Sequence, residues 1–186
     1  MHEQQIWDFL YSKTHNAYGT AALMGNLFAE SSLNPQCANG VRSKYGWTNE
    51  QYTYYSDKGE HDFINDGVAY GLVQWCYKTR KQGLLEASKG KSISDLDVQL
   101  NYMWKELQSY KTVLNAILKA TNIRETSDVI MLKYEKPANT SEKMKAKRAA
   151  YGQKYFDQFT KIDSDTIWIS RFKLESWMND LKQILK

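Results

Sequence analysis

The chain has 186 residues, of which 42% are hydrophobic and 25% are charged, a composition typical of a globular domain with one core. Its formal net charge of +4 is too small to indicate nucleic-acid binding by itself. No stretch approaches the roughly 18 consecutive apolar residues of a membrane span, and the first residues lack the basic and apolar regions of a secretory signal. Work outside the cytoplasm would therefore require another release route or a longer protein.

The N-terminal part of the chain predicts two helices. Residues 3–13 carry apolar side chains at helical spacing. A second helix is predicted at residues 17–31, with Asn16 as its N-cap. This helix is apolar on most sides, so we expect it to lie buried at the centre of the domain. It should end before Pro35, because the residue before a proline avoids helical angles.

Glu30 lies at the exit of the predicted central helix. Apolar walls around it would keep its carboxyl group protonated, which is the form that a general acid requires. The alternative is a surface glutamate on the last turn that pairs with a nearby lysine. The spacing alone favours neither interpretation.

Residues 36–68 lose the helical periodicity and become polar and aromatic, apart from a short helix predicted at 48–56 with Thr48 as its cap. One interpretation is a solvated loop with tyrosines below it. The other is one wall of a sugar-binding cleft, because aromatic faces pack on pyranose C–H groups while carboxylates and amides bind hydroxyls. The acidic side chains of this segment are Asp57, Glu60, Asp62 and Asp66.

After Trp75 the pattern is helical again, and β signals are sparse, so a mainly α fold is predicted. The predicted helices span 79–89, 96–107 with Ser94 as the cap, 113–118, a segment that starts at 122 or 126 and ends before Pro137, and 141–159. The last of these carries a basic cluster that we interpret as a solvated helix face; it consists of Lys143, Lys145, Lys147 and Arg148.

Two further features concern the cysteines and the C-terminus. Cys37 and Cys76 lack metal-ligand spacing and are predicted to be two free thiols rather than a disulfide. Residues 161–186 are predicted to form a connector and an amphipathic helix, with an apolar stripe within 167–185. This helix would dock on the domain, self-associate, or lead to an additional domain.

A set of short pieces occurs along the chain in this order: Ala29-Glu30-Ser31 with Asn34-Pro35, Tyr70-Gly71-Leu72 with Gln74-Trp75, Arg80, Leu84-Leu85, Leu96-Asp97 with Gln99-Leu100, Trp104 with Glu106-Leu107, and Tyr134-Glu135 with Pro137. This ordered set resembles the phage tail lysozyme family of the lysozyme-like superfamily. The chain is also similar, more distantly, to goose-type lysozymes and lytic transglycosylases. The resemblance covers residues 1–160 and implies a lysozyme-like helical domain over that range.

The resemblance implies a peptidoglycan hydrolase of a phage or mobile element that acts on the bacterial cell wall. It would cleave the β-1,4 bond between N-acetylmuramic acid and N-acetylglucosamine, with Glu30 as general acid and with no metal or organic cofactor. Nucleic acid and membrane are not expected as partners. The alternatives are a lytic transglycosylase that forms 1,6-anhydro products, and a non-catalytic wall-binding or tail-structural module.

The second catalytic group stays open at this point. Asn39 is our preferred helper, since its amide can position a water molecule; the four acidic side chains of residues 57–66 are other candidates, and the N-acetyl group of the sugar could replace them all. The resemblance implies substrate-binding roles for a further set of residues, while Glu135 is expected to be structural and Trp75 has a core aromatic as its alternative. The set is Ser31, Tyr70, Gly71, Gln74, Trp75 and Tyr134.

Overall fold

The computed structural model describes residues 2–161, and this part of the chain is mainly helical. A two-stranded antiparallel sheet joins β1 (Ala38–Asn39) to β2 (Ala69–Tyr70), and a π-helical segment, Met131–Glu135, continues α8. The α-helices of the described residues are α1 Glu3–Thr14, α2 Ala17–Ser31, α3 Val41–Tyr45, α4 Asn49–Asp57, α5 Lys78–Ala87, α6 Leu96–Leu107, α7 Lys111–Leu118, α8 Ile123–Ile130 and α9 Glu142–Thr160.

Helix α2 lies at the centre of the domain, as its sequence predicts. Ten of its fifteen residues are buried, and α1, α7, α8 and α9 pack against it. Glycines make the close packing feasible: a Cβ atom added at Gly19 would lie 2.0 Å from the carbonyl oxygen of Ile117, and one at Gly25 would lie 2.4 Å from the backbone nitrogen of Gly152. At these two points the backbone of α2 lies so close to the backbones of α7 and α9 that no side chain would fit between them.

Helix caps agree with the predictions at all but one position. Asn16 accepts a hydrogen bond from the backbone N–H of Gly19 at 3.0 Å, Thr48 forms a capping box with Gln51, and Asn122 opens α8. The prediction of Ser94 as the cap of α6 is wrong. Asp95 accepts from Val98 instead, because Asp95 directly precedes the first residue of α6, and the hydroxyl of Ser94 bonds to that of Ser92 at 2.8 Å.

Residues 36–68 are more ordered than a solvated loop. They contain β1, α3 and α4, and a buried ionic group anchors them to α5. The ammonium of Lys81 on α5 is fully buried and donates to the carboxylate of Asp66, to the hydroxyl of Tyr52 at 3.0 Å and to the carbonyl of Val68 at 2.9 Å. The segment is therefore held against the helical core along much of its length.

Three other predictions concern the cysteines, membrane-spanning helices and the C-terminal residues. Cys37 and Cys76 are free thiols, as predicted. Among the residues that the structure describes, no helix is long and apolar enough to cross a membrane. The predicted connector and C-terminal helix fall on 161–186, and all but the first of these residues lie outside the described range.

Candidate active site

Glu30 occupies the last turn of α2, where the buried helix reaches the surface. Its side chain is 17% exposed, so the carboxylate is accessible from one side. The helix stops directly after it, because Ser32 and Leu33 both adopt left-handed backbone angles, with φ of 54° and 59°. Glu30 therefore lies on a fixed element and at an opening of the core.

Arg148 of α9 is the partner of Glu30. One terminal nitrogen of its guanidinium donates to Oε1 of Glu30, and the other donates to Oδ1 of Asn26 at 3.1 Å. Arg148 is only 3% exposed, and its Nε–H has no hydrogen-bond partner. The prediction that Arg148 belongs to a solvated helix face is wrong, because the close approach of α2 and α9 covers this side chain. The predicted apolar wall around Glu30 is therefore replaced by an ion pair.

Asn26 fixes the orientation of that guanidinium. Its amide nitrogen donates to the carbonyl of Ala22 at 2.9 Å and to the hydroxyl of Ser127 at 2.9 Å, which leaves its oxygen free to accept from Arg148. Asn26 is fully buried. If its amide were rotated by half a turn, its NH2 group would face the guanidinium of Arg148, and both groups are hydrogen-bond donors. The sequence motifs did not include Asn26 or Arg148 as site residues.

A second ion pair lies beside the first. Arg80 of α5 donates through Nε and Nη2 to the two carboxylate oxygens of Glu106 on α6, at 2.8 and 2.9 Å. Glu106 Oε2 also accepts from the indole N–H of Trp75 at 2.7 Å and from the hydroxyl of Tyr134 at 2.9 Å. Both residues of this pair occur in the pieces that carry the family resemblance, although the motifs alone assigned them no role.

Trp75 and Tyr134 thus contribute to the site from the protein interior, as hydrogen-bond donors to Glu106. Trp75 is fully buried and Tyr134 is 2% exposed, so neither presents a ring face to a ligand in this structure. Of the two interpretations of Trp75, the one that makes it an aromatic residue of the core agrees with its burial. Tyr70 is also fully buried, and its hydroxyl bonds to Thr53 at 2.7 Å rather than to Glu30.

The turn between Tyr70 and Trp75 is fastened to the end of α2. The hydroxyl of Ser31 donates to the carbonyl of Leu72 at 3.0 Å, and this places the turn next to Glu30 in space. Gly71 has a φ of 76°, and a Cβ atom there would lie 2.6 Å from Oε1 of Gln99. Only glycine combines that angle with so close an approach.

Gln74 closes the same turn in a left-handed conformation, with a φ of 53°. Its amide nitrogen donates to the carbonyls of Gly71 and Cys37, at 2.9 and 3.0 Å. Burial raises the pKa of the Cys37 thiol, and the negative charge of Glu30 adds to that increase. Gln74 and Cys37 are therefore neighbours of Glu30, whereas Asn39 is an exposed residue of β1.

Three of the four acidic candidates for a second catalytic group have structural partners. Asp57 accepts from the hydroxyl of Ser92 and the backbone N–H of Ile93. Asp62 accepts from Asn65, and Asp66 is buried with Lys81. Within residues 2–161, no group of three or more His, Cys, Asp or Glu side chains is arranged to hold a metal ion.

Glu135 is the remaining acidic residue of the site. It ends the π-helical segment, and its Oε1 is buried without a hydrogen-bond partner. Burial raises its pKa well above the ordinary range of a glutamate, and the charge of Glu30 raises it further, while Arg80 and Arg148 oppose the increase. This carboxyl group therefore favours its neutral form.

A carboxylate at the end of a buried helix, with a fixed turn beside it, agrees with the family comparison. A family model of phage tail lysozymes matches residues 2–159. The chain belongs to the phage tail lysozyme family. No curated protein matches the sequence. Membership of this family implies a lysozyme-like enzyme that acts on the peptidoglycan of the bacterial cell wall.

Proposed function

We propose that the protein cleaves the β-1,4 bond between N-acetylmuramic acid and N-acetylglucosamine, with Glu30 as the general acid. The observation that carries this proposal is the position of Glu30. It is the partly exposed carboxylate at the end of the central helix, and it adjoins a turn in which Gln74, a non-glycine residue, is held in left-handed backbone angles. Strained backbone of this kind is common at functional sites.

The reaction requires a proton for the leaving oxygen and a nucleophile for the anomeric carbon. Glu30 would donate its proton to the glycosidic oxygen while the bond from that oxygen to the anomeric carbon breaks. Water would then add to the oxocarbenium-like carbon and return a proton to Glu30. The structural contacts of Asp57, Asp62 and Asp66 favour a single essential acid over a carboxylate pair that includes one of them, with Asn39 proposed to orient the water.

The segment 36–68 supports a sugar-binding wall. A cavity of about 710 Å³ opens next to β1 and is bordered by Trp47, Arg42 and Glu50 among others. Its volume lies in the range of ordinary ligand sites, and it combines an aromatic ring with charged side chains. Of the predicted binding residues, we propose the half-buried Gln74 as part of the cleft; the buried Ser31, Tyr70, Gly71, Trp75 and Tyr134 would support it from inside.

The decisive variant is Glu30→Gln. It should reduce lysis of purified sacculi by at least about a hundredfold, the scale of general acid catalysis, while binding to sacculi persists. Glu86→Gln serves as the control, because Glu86 is an exposed residue of α5. Lysis by Glu30→Gln at the rate of the unaltered protein would end the proposal, and sacculus binding without any lysis by the unaltered protein would support the non-catalytic module.

A lytic transglycosylase would use the same acid, since the muramic acid 6-hydroxyl would replace water as the nucleophile. Mass spectrometry of the released fragments distinguishes the two reactions. The hydrolase should yield reducing, hydrated ends. Anhydro ends, smaller by one water molecule, would assign the protein to the transglycosylases.

A further inference from the structure

Gln99 of α6 is a fully buried residue whose amide nitrogen and oxygen both have hydrogen-bond partners. The nitrogen donates to the carbonyls of Pro35 and Ile93, at 2.7 and 2.8 Å. The oxygen accepts from the backbone N–H of Leu72 at 2.8 Å. One side chain therefore joins the segment after α2, the 70–75 turn and the segment before α6.

The 70–75 turn is held at Leu72 from two sides. The carbonyl of Leu72 accepts from the hydroxyl of Ser31 at the end of α2, at 3.0 Å, and its N–H donates to Gln99. Since Ser31 directly follows Glu30 in the chain, these two bonds fix the turn relative to the proposed acid. A buried polar network whose members have their partners is rigid.

Gly71 makes room for the amide group of Gln99. A Cβ atom added at Gly71 would lie 2.6 Å from Oε1 of Gln99 and 2.9 Å from both its Cδ and its Nε2. The space that a side chain of residue 71 would fill is therefore occupied by Gln99. This contact gives Gly71 a reason to be glycine that involves no ligand.

The position of Gln74 depends on that contact. Its amide nitrogen donates to the carbonyls of Gly71 and Cys37, and the backbone N–H of Gly71 donates to the same carbonyl of Cys37 at 2.8 Å. Within residues 70–75, Gln74 is the only one that is not buried. A shift of the backbone at Gly71 would therefore displace the one side chain of the turn that a ligand can reach.

We propose that Gln99 is a positioning residue that acts through Gln74: it fixes the 70–75 turn between α2 and α6, so that the side chain of Gln74 is placed to contact the glycan strand. This inference rests on the proposed function, in which Gln74 forms part of the cleft. Gln99 itself touches no substrate. Its removal should weaken substrate binding and leave proton delivery by Glu30 intact, which is a change in KM rather than in kcat.

The test is the measurement of KM and kcat for Gln99→Met on purified sacculi. Methionine is an unbranched side chain of similar length that makes none of the three hydrogen bonds. KM should rise at least about tenfold, since a small misplacement of a positioned group has effects of that scale or larger, while kcat changes less than about twofold. Gln108→Met is the matched control, because Gln108 is an exposed glutamine at the end of the same helix and should keep both constants.

A double-mutant cycle tests the route through Gln74. Gln74→Ala alone should raise KM. In that background Gln99→Met should raise KM less than about twofold further, because the side chain that it positions is gone. A purely structural role would give a different result: Gln99→Met that lowers kcat at unchanged KM, as a smaller folded fraction would, overturns the inference. An equal effect of Gln99→Met in both backgrounds overturns it as well.

Should Gln99→Met fail to fold, hydrogen exchange of the unaltered protein and the KM of Gln74→Ala decide together. A Leu72 amide that exchanges slowly, with a raised KM, supports the inference; a Leu72 amide that exchanges like an exposed one, or an unchanged KM, overturns it. If Glu30→Gln is inactive while Gln99→Met keeps its KM, this inference fails and the proposed function stands. If Glu30→Gln lyses sacculi like the unaltered protein while Gln99→Met raises KM, the reverse holds.

Discussion

Lys81 and Asp66 form a buried charge pair that fastens the proposed cleft wall to the helical core. Their side chains are 0% and 2% exposed, and Asp66 also accepts from Tyr52 at 2.7 Å and from His61 at 2.8 Å. Burial by itself would raise the pKa of Asp66, but the hydrogen bonds from Lys81, Tyr52 and His61 outweigh it, and the pKa is lowered. Burial lowers the pKa of Lys81, and Asp66 opposes that decrease.

Asp66→Asn should destabilise the protein by about 3–5 kcal/mol, because it leaves the ammonium of Lys81 buried without a counter-charge. Urea denaturation measures the loss. Asp62→Asn is the matched control, since Asp62 lies in the same segment, is exposed, and bonds only to Asn65 among the described contacts. A free energy of unfolding for Asp66→Asn equal to that of the control would show that the pair has no net stabilising role.

The same pair gives a pH dependence with a definite sign. The pKa of Asp66 is lower in the folded protein than in the unfolded chain, so its contribution to stability is complete above the unfolded value of about 3.9. That contribution is lost as the pH falls below this value towards the folded pKa. Melting temperatures between about pH 6 and pH 3 should therefore fall less steeply for Asp66→Asn than for the unaltered protein.

Single residues were only partly predictable. The resemblance drew attention to Glu30, which lies in the last turn of the central helix as predicted, but the pattern of Lys143, Lys145 and Lys147 concealed Arg148. Its partner Glu30 is 118 positions away in the chain, and no periodicity reports such a pairing. One signal was present: Arg148 shares a helix face with Tyr155, which is also buried, and that face is the one that packs on α2.

Helices α2 and α9 depend on two glycines that face each other. A Cβ atom added at Gly25 would lie 2.4 Å from the backbone nitrogen of Gly152, and one at Gly152 would lie 2.9 Å from the carbonyl oxygen of Ala21. At Gly25 the obstructing atoms all belong to the backbone of α9, so no side chain can move aside to make room. The contact also sets the distance that Arg148 spans to reach Glu30.

Gly25→Ala should therefore destabilise the protein by about 3 kcal/mol, although alanine is the better helix former by about 1 kcal/mol. It should also reduce activity, because separation of the helices moves Arg148 away from Glu30. Ala150→Gly on the exposed side of α9 makes the reverse change and should cost only its helix propensity, about 1 kcal/mol. Gly25→Ala would contradict this account of the contact if thermal unfolding showed it to be as stable as the unaltered protein.

Whole elements were more predictable than single site residues. Helices with apolar residues at regular helical spacing, such as α1, α2 and α6, follow from local physics that a sequence displays. The strands β1 and β2 have two residues each, which is too short for any alternation to appear. The sequence predicts an ordinary helix where the π-helical segment lies. The two differ by a backbone hydrogen bond from the N–H of Lys136 to the carbonyl of Met131, and no residue pattern indicates such a bond.

The proposed site draws on distant parts of the chain. Glu30, the turn after Tyr70, Arg80, Glu106 and Arg148 come from separate elements. They are brought together because α9 packs on α2, α5 packs on α6, and the turn is bonded to α2 through Ser31 and to α6 through Trp75. A motif search detects these pieces one at a time, in order, but their pairing into the two ion pairs Arg80–Glu106 and Arg148–Glu30 exists only in the folded molecule.

Residues 162–186 provide the last test. The family match ends at 159, and every residue to which a role is assigned above precedes Lys161. The apolar stripe within 167–185 nevertheless predicts a helix that covers apolar surface, which contributes roughly 25 cal/mol of stability per Å² buried.

A chain that ends at Lys161 should therefore keep its specific activity on sacculi. Its melting temperature should fall, by roughly 2–4 °C for each kcal/mol of stability lost, or its oligomer mass should decrease. Calorimetry and light scattering separate docking on the domain from self-association. A shortened protein that folds but no longer lyses sacculi would instead show that these residues help to build the cleft.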